Sequence, residues 1–217
     1  MNNNNLRHYS FLDEIILQCH NFVETVFNQS RAKRQSPAEK FTEEPVLIPS
    51  KKRSSIGFMR VNHSGEVCAQ ALYRGQMVLS KNSEIRSILA TVAKEETDHL
   101  VWCRDRIKEL GGHVSYLNVF WYTNAFLIGL LAGAAGDRLS LGFIEETEKQ
   151  VEAHLEYHLH KLPTADIKSR KIVEQMQKDE VSHGQKAKSA GSEELPYNIK
   201  NLMSLHANVM KTLAYWI

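Results

Sequence analysis

A chain of 217 residues with 42% hydrophobic and 24% charged side chains can bury one substantial core and needs no second globular unit. Its net charge of +2 removes the electrostatic argument for a nucleic-acid partner, so no nucleic acid is expected. Cys19, Cys68 and Cys103 are odd in number and widely spaced, which excludes a disulfide framework or a Cys-x-x-Cys zinc site and fits a reducing compartment.

The opening MNNNNLRHYS lacks the apolar stretch of a signal peptide, so export is not expected. Residues 1–30 read as an N-terminal unit in which 9–27 form a short amphipathic helix. Residues 31–55, polar and interrupted by Pro37, Pro45 and Pro49, read as a linker. Its basic groups, Arg31, Lys33 and Arg34 and then Lys51, Lys52 and Arg53, are either solvated charge or contacts to anionic lipid.

The remainder, 56–217, carries the helical core. The pattern predicts helices over 56–80, over 83–110 with Gly111 and Gly112 as the stop, over 137–161 ending before Pro163, and from a cap at Thr164 or Asp166 to about 190. Four helices of about 25 residues, each about 37 Å long, make one bundle. Between the second and third lies 114–136, which has no charged residue. Its length suits a bilayer span, but a single crossing would separate the charged halves described below onto opposite sides of the membrane. A long crossover of the ferritin-like kind fits instead. Phe120, Trp121, Tyr122 and Phe126 then belong to a membrane interface, an apolar substrate channel or a buried connection. The stretch 195–217 repeats apolar residues at near-helical spacing and is expected to dock on the bundle in preference to lipid. The expected fold is all-α: a ferritin-like four-helix bundle with a long apolar crossover and extra N- and C-terminal helices.

Two Glu-x-x-His pairs, Glu96 with His99 and Glu180 with His183, carry the chemistry. Residues three apart share one helix face, so both side chains of a pair reach one ion. With 19 Glu and 10 His, about one such pair is expected by chance, and context decides. Both pairs sit in proline-free, helix-favouring stretches, and each follows a single Glu, Glu66 or Glu148, by 30 and 32 residues. Four inward carboxylates would repel one another unless protonated, solvated or neutralised by two divalent cations. Oxygen ligands with one imidazole per metal suit iron or manganese better than zinc or copper. The assignment is Glu66, Glu96 and His99 to one metal and Glu148, Glu180 and His183 to the other, with Glu96 and Glu180 shared; Glu145 remains the alternative to Glu148. Glu95, Glu145, Glu146, Glu152 and Glu156 read as solvated helix charges. Among His63, His154 and His158, His154 is the favoured group to orient a ligand. Cys68 and Cys103 read as small core residues.

At RVNHSGEVCAQALYRGQ, EETDHLVWCRDRIKELGG, LGFIEETEKQVEAHLEYHL and EQMQKDEVSHG the chain resembles the demethoxyubiquinone hydroxylase family, over nearly its whole length and least in the linker. The resemblance implies that Glu66, Glu96, His99, Glu148, Glu180 and His183 hold two iron ions (Fe2+/Fe3+). It implies O2-dependent hydroxylation of a polyprenylated methoxy-methyl-benzoquinol by a di-iron monooxygenase of ubiquinone biosynthesis. It further implies a peripheral site at the cytoplasmic face of the cell membrane, and a lipid-binding accessory protein or biosynthetic complex as partner. No nicotinamide- or flavin-binding glycine fingerprint is visible, so an external electron donor, or the quinol itself, must reduce the metals. Two rival readings share parts of the pattern: a ferritin-like iron oxidase or storage protein, and a metal-free helical adaptor at the membrane surface.

Overall fold

The computed structural model describes residues 11–27 and 29–217, with Phe11 placed by its backbone alone; the part of the expected N-terminal helix at 9–10 lies outside them. Among the described residues there are seven helices and no strand: α1 (Phe11–Val26), α2 (Pro49–Leu79), α3 (Ser83–Glu109), α4 (Asn118–Ala134), α5 (Asp137–Lys161), α6 (Ile167–Ser189) and α7 (Tyr197–Trp216).

The starts and stops follow local chemistry. Asn82 caps α3 by accepting from the Glu84 N–H at 2.9 Å, and Asp166 caps α6 by accepting from Ser169 at 3.0 Å. Gly111, at φ 70°, takes the left-handed turn that ends α3. One boundary differs from expectation. The first core helix starts at Pro49 rather than at 56, because a proline in the first helical turn needs no donor and arrives with a helical φ. Lys51, Lys52 and Arg53 therefore lie on a helix and not in a linker.

Helices α2, α3, α5 and α6 contact one another as α2 with α3, α5 with α6, α3 with α6 and α2 with α5. Each carries the same order of side chains: an apolar group, a buried polar belt, and a second apolar group. One apolar layer joins Met59, Trp102, Ile107, Leu155, Ile172 and Met176. The other joins Leu72, Tyr73, Leu89, Val92, Leu141 and Ile144. Glu66, Glu96, Glu148 and Glu180 fall between these layers, so water is kept from the belt at both ends.

The uncharged segment folds largely as α4, laid against α2. No helix among the described residues is long and apolar enough to cross a membrane. The two backbones nearly touch. A Cβ on Gly129 would strike the Leu72 carbonyl oxygen, one on Gly75 the Phe126 carbonyl oxygen, and one on Gly133 would sit 2.8 Å from the Gln76 oxygen. Glycine is required here by close approach. Gly129→Ala is expected to push α4 off α2 and, net of the better helix propensity of alanine, to cost about 1–3 kcal/mol. That is a fall of roughly 2–12 °C in a thermal melt followed by circular dichroism; an unchanged melt would refute the contact.

Helix α7 docks through Met210, Ala214 and Tyr215, whose ring centre lies 5.3 Å from that of Phe58 and whose carbonyl accepts from Arg60 Nη1 at 2.9 Å. The other face of α7 is exposed. Residues 31–48, the part of the expected linker that precedes α2, lie along α3 and α6. Ala38 joins the core, Arg34 Nε pairs with Asp98 at 2.7 Å, and Glu44 accepts from Arg106 Nη2 at 2.7 Å.

Candidate metal centre

The four long helices bring Glu66, Glu96, His99, Glu148, Glu180 and His183 together, all at 3% exposure or less. Two groups of donor atoms lie within 4.8 Å of one another: Glu66, Glu96, His99 and Glu180, and Glu96, Glu148, Glu180 and His183. Glu96 and Glu180 belong to both. His99 Nδ1 stands 2.9 Å from Glu96 Oε2, 3.2 Å from Glu180 Oε1 and 4.0 Å from Glu66 Oε2. His183 Nδ1 repeats this, at 3.0 Å from Glu96 Oε1, 3.3 Å from Glu180 Oε2 and 3.9 Å from Glu148 Oε1. The near-symmetry follows from two Glu-x-x-His helices facing each other.

Both rings point Nδ1 inward and Nε2 outward. Outside, His99 Nε2 meets Asp179 Oδ2 at 2.8 Å and His183 Nε2 meets Glu95 Oε2 at 2.6 Å. These carboxylates fix the tautomer that leaves Nδ1 free to ligate. Each is the residue just before the Glu of the opposite pair, so the doublets Glu95-Glu96 and Asp179-Glu180 were the available sequence signal. Glu95 is therefore not simply a solvated charge.

His154, the favoured orienting group, does not bond to any of the six. Its Nε2 is buried without a partner, and burial pushes its pKa down to about 4. His63 likewise lacks a partner at either ring nitrogen. His158 pairs instead with Asn62 Oδ1 at 2.7 Å. Spacing along α5 cannot tell which buried histidine faces a ligand.

Two further groups were not read from the sequence as part of the site. The Tyr73 hydroxyl donates to Glu148 Oε1. Arg34 places Nη1 2.8 Å from Asp179 Oδ2 and Nη2 3.3 Å from His99 Nε2, with its guanidinium 4.9 Å from the Trp102 ring centre. Although burial opposes ionisation of Asp179, His99 and Arg34 hold its pKa down at about 2.

The cluster divides its protons. Burial, then the charges of Glu96 and Glu180, raise Glu66 well above the usual carboxylate range; burial, then Glu180 and Glu96, do the same to Glu148. Burial also opposes ionisation of Glu96, but His99 and His183 outweigh it and hold Glu96 well below that range. Glu180 is lowered by contact with the same two histidines, against its burial and the Glu96 charge. Against burial, Glu96 and the Asp179 contact raise His99, and Glu180 and Glu96 raise His183 to about 11.

The residues fit a cation. Glu96 Oε1 and Glu180 Oε1 are buried yet accept no well-aligned hydrogen bond, though an imidazole nitrogen lies within 3.2 Å of each. Buried carboxylate oxygens with unused acceptor capacity suit a hard metal ion. One Glu from each of two helices and a Glu-x-x-His from each of two others is the donor set of helical proteins that hold two carboxylate-bridged metals. Residues 53–214 match the ubiquinone biosynthesis protein COQ7 family, and the chain belongs to that family. It is 63% identical over 214 residues to a 3-demethoxyubiquinol 3-hydroxylase of Coxiella burnetii, covering 99% of each chain. It is 49% identical over 206 residues to the protein of that name from Polynucleobacter necessarius (95% of this chain, 99% of the relative). With that from Nitrosococcus oceani it shares 49% over 212 residues, or 97% and 99% of the two chains.

Proposed function

We propose that this protein is a 3-demethoxyubiquinol 3-hydroxylase, an O2-dependent monooxygenase that hydroxylates the ring of a polyprenylated 2-methoxy-5-methyl-benzoquinol in ubiquinone biosynthesis. The observation that carries this reading is the buried twofold Glu-x-x-His cluster in a chain that matches curated hydroxylases from end to end. Helices α2, α3, α5 and α6 are taken as a ferritin-like bundle, with α4 as its crossover. Glu66, Glu96 and His99 would hold one iron and Glu148, Glu180 and His183 the other, with Glu96 and Glu180 common to both groups. Bound iron supplies the redox capacity and Lewis acidity that activate O2.

The rest is done by the chain. Asp179, itself held by Arg34, and Glu95 orient the two imidazoles. The Tyr73 hydroxyl holds a proton at Glu148 Oε1, on one half of the site only. The apolar layers above and below the belt exclude water, which strengthens every charge interaction within it. Electrons come from an external donor or from the quinol itself.

A quinol with an isoprenoid tail lives in a bilayer, and the exposed faces of α4 and α7 suit the cytoplasmic membrane surface. Leu127 and Leu131 on α4 are 54% and 72% exposed, and Trp216 on α7 is 76% exposed. Leu127→Glu with Leu131→Glu is expected to release the protein from vesicles in a flotation assay while its iron content stays unchanged. Unaltered flotation would remove α4 from the membrane surface. The function itself is tested by elemental iron on anaerobically purified protein together with turnover of demethoxyubiquinol under 18O2. Label in the product ring supports a hydroxylase, whereas iron oxidation with no product supports the iron-storage reading.

A further inference from the structure

The basic residues of the 31–34 stretch part company. Arg34 turns towards the metal centre, while Arg31 and Lys33 line a separate cleft of about 700 Å3 between α1, α2 and α3. Arg74 of α2 and Lys94 of α3 line it too, so four cations meet there. Glu24 is the one carboxylate among the described lining residues, and it already faces His20 Nε2 at 3.5 Å. None of the four cations has a carboxylate at ion-pair distance among the described residues, whereas Arg34 and Arg106 nearby have two or three each.

Arg74 is the most informative member. It is half-buried, its Nη2 has only the neutral Gln70 Oε1 at 3.3 Å, and its buried Nε has no partner at all. A guanidinium set into a wall with unused donors is costly unless something anionic takes them up. Lys33 and Lys94 both line the cleft, and contact with Lys94 and then its charge lower the Lys33 pKa from its ordinary value. Like charges gathered over a concave surface of this size raise the local concentration of anions.

We propose that this cleft is a binding site for a phosphate or diphosphate group, with Arg74 as the fixed fork and Lys33, Lys94 and Arg31 as the closing charges. Phosphate is favoured over a carboxylate because its charge of up to two and its three oxygens answer four convergent cations, and because the planar guanidinium matches it with two parallel hydrogen bonds. The volume exceeds that of a free phosphate and lies in the range of small-molecule sites, so the group belongs to a larger body. That body is a soluble phosphate ester or the headgroup of an anionic lipid. The floor of the cleft includes Thr97, whose hydroxyl accepts from Gln70 Nε2 at 2.7 Å; Thr97 follows Glu96 on α3, and Gln70 lies one turn beyond Glu66 on α2. The site therefore sits against the back of the metal centre without sharing a residue with it.

The test uses the iron-loaded full chain at low salt. Pyrophosphate binding is measured by calorimetry, and sedimentation is compared on phosphatidylcholine vesicles with and without phosphatidylglycerol. The variants are Arg74→Gln and the pair Lys33→Glu with Lys94→Glu. Lys51→Glu with Lys52→Glu is the control of equal charge change, and iron content checks that each variant folds. Pyrophosphate binding that falls at least tenfold in the cleft variants, but not in the control, supports the site with a soluble ligand. No pyrophosphate binding, with a phosphatidylglycerol-dependent increment lost in the same variants alone, supports it with a lipid headgroup. Neither signal, or equal losses in cleft and control variants, overturns it.

Discussion

Glu180→Ala protein is expected to purify with less than about a tenth of the iron of the unaltered chain and to lose hydroxylase activity by more than about 100-fold, beyond what loss of an outer orienting group costs. The reason is position: Glu180 oxygens lie 3.2 Å from His99 Nδ1 and 3.3 Å from His183 Nδ1, so its loss strips both halves of the centre. Glu66→Gln is the informative contrast. Glu66 belongs to one donor group only, so about half the metal should remain. It is also the neutral acid of its group, and an amide of the same shape replaces it without a change of charge. The metal-free melt of Glu66→Gln should therefore match the unaltered protein. That of Glu180→Ala should fall, because two buried imidazolium groups lose a counter-charge. Elemental analysis, turnover and melting of the metal-free forms separate these outcomes. Full iron and activity in Glu180→Ala would sink the proposed ligand set.

The six clustered residues were legible because helix geometry converts a spacing of three into a shared face, and because four inward carboxylates demand a partner. The long helices were legible for a related reason: Gly111, Pro163 and the caps at Asn82 and Asp166 punctuate them locally. What failed was everything set by contacts distant in the chain. Arg34 lies 65 positions from His99 and 145 from Asp179, inside a polar, proline-bearing stretch that reads as a linker by composition. Pro49 was weighed as a breaker when its place at the head of a helix made it a starter. The glycines of α4 looked like part of an apolar run, and only the backbone of α2 against them shows why they are glycines. His154 shows the limit in the other direction, since proximity along a helix said nothing about which neighbour its ring meets.

Loading two metals at pH 7 is expected to release about four protons per chain. Glu66 and Glu148 hold one each as neutral acids, and His99 and His183 one each as imidazolium groups, while Glu96 and Glu180 are already ionised. All six must be deprotonated to ligate, so the protons leave as the ions enter. The sign for stability follows group by group. The raised pKa of His183 gives the metal-free protein stability that is full below 6.5 and is lost as pH rises through about 11; raised Glu66 and Glu148 also lose theirs with rising pH. Lowered Glu96 and Glu180 contribute above 4.5 and lose their contribution in acid. The metal-free chain should thus melt highest near pH 4.5, where the lowered carboxylates are ionised and the raised ones still hold their protons. The loaded chain should gain on it steadily above that pH, with apparent affinity rising about 100-fold per pH unit for each metal while both protons of its half remain to be displaced. Calorimetry with Mn2+, which avoids oxidation, in buffers of different protonation enthalpy counts the protons directly. Glu148→Gln, which like Glu66→Gln should keep about half the metal, should lower the count per chain by about two, the protons of Glu148 and His183. A count of only about two in the unaltered protein would mean that Glu66 and Glu148 are already ionised, and that some other charge within the belt offsets them.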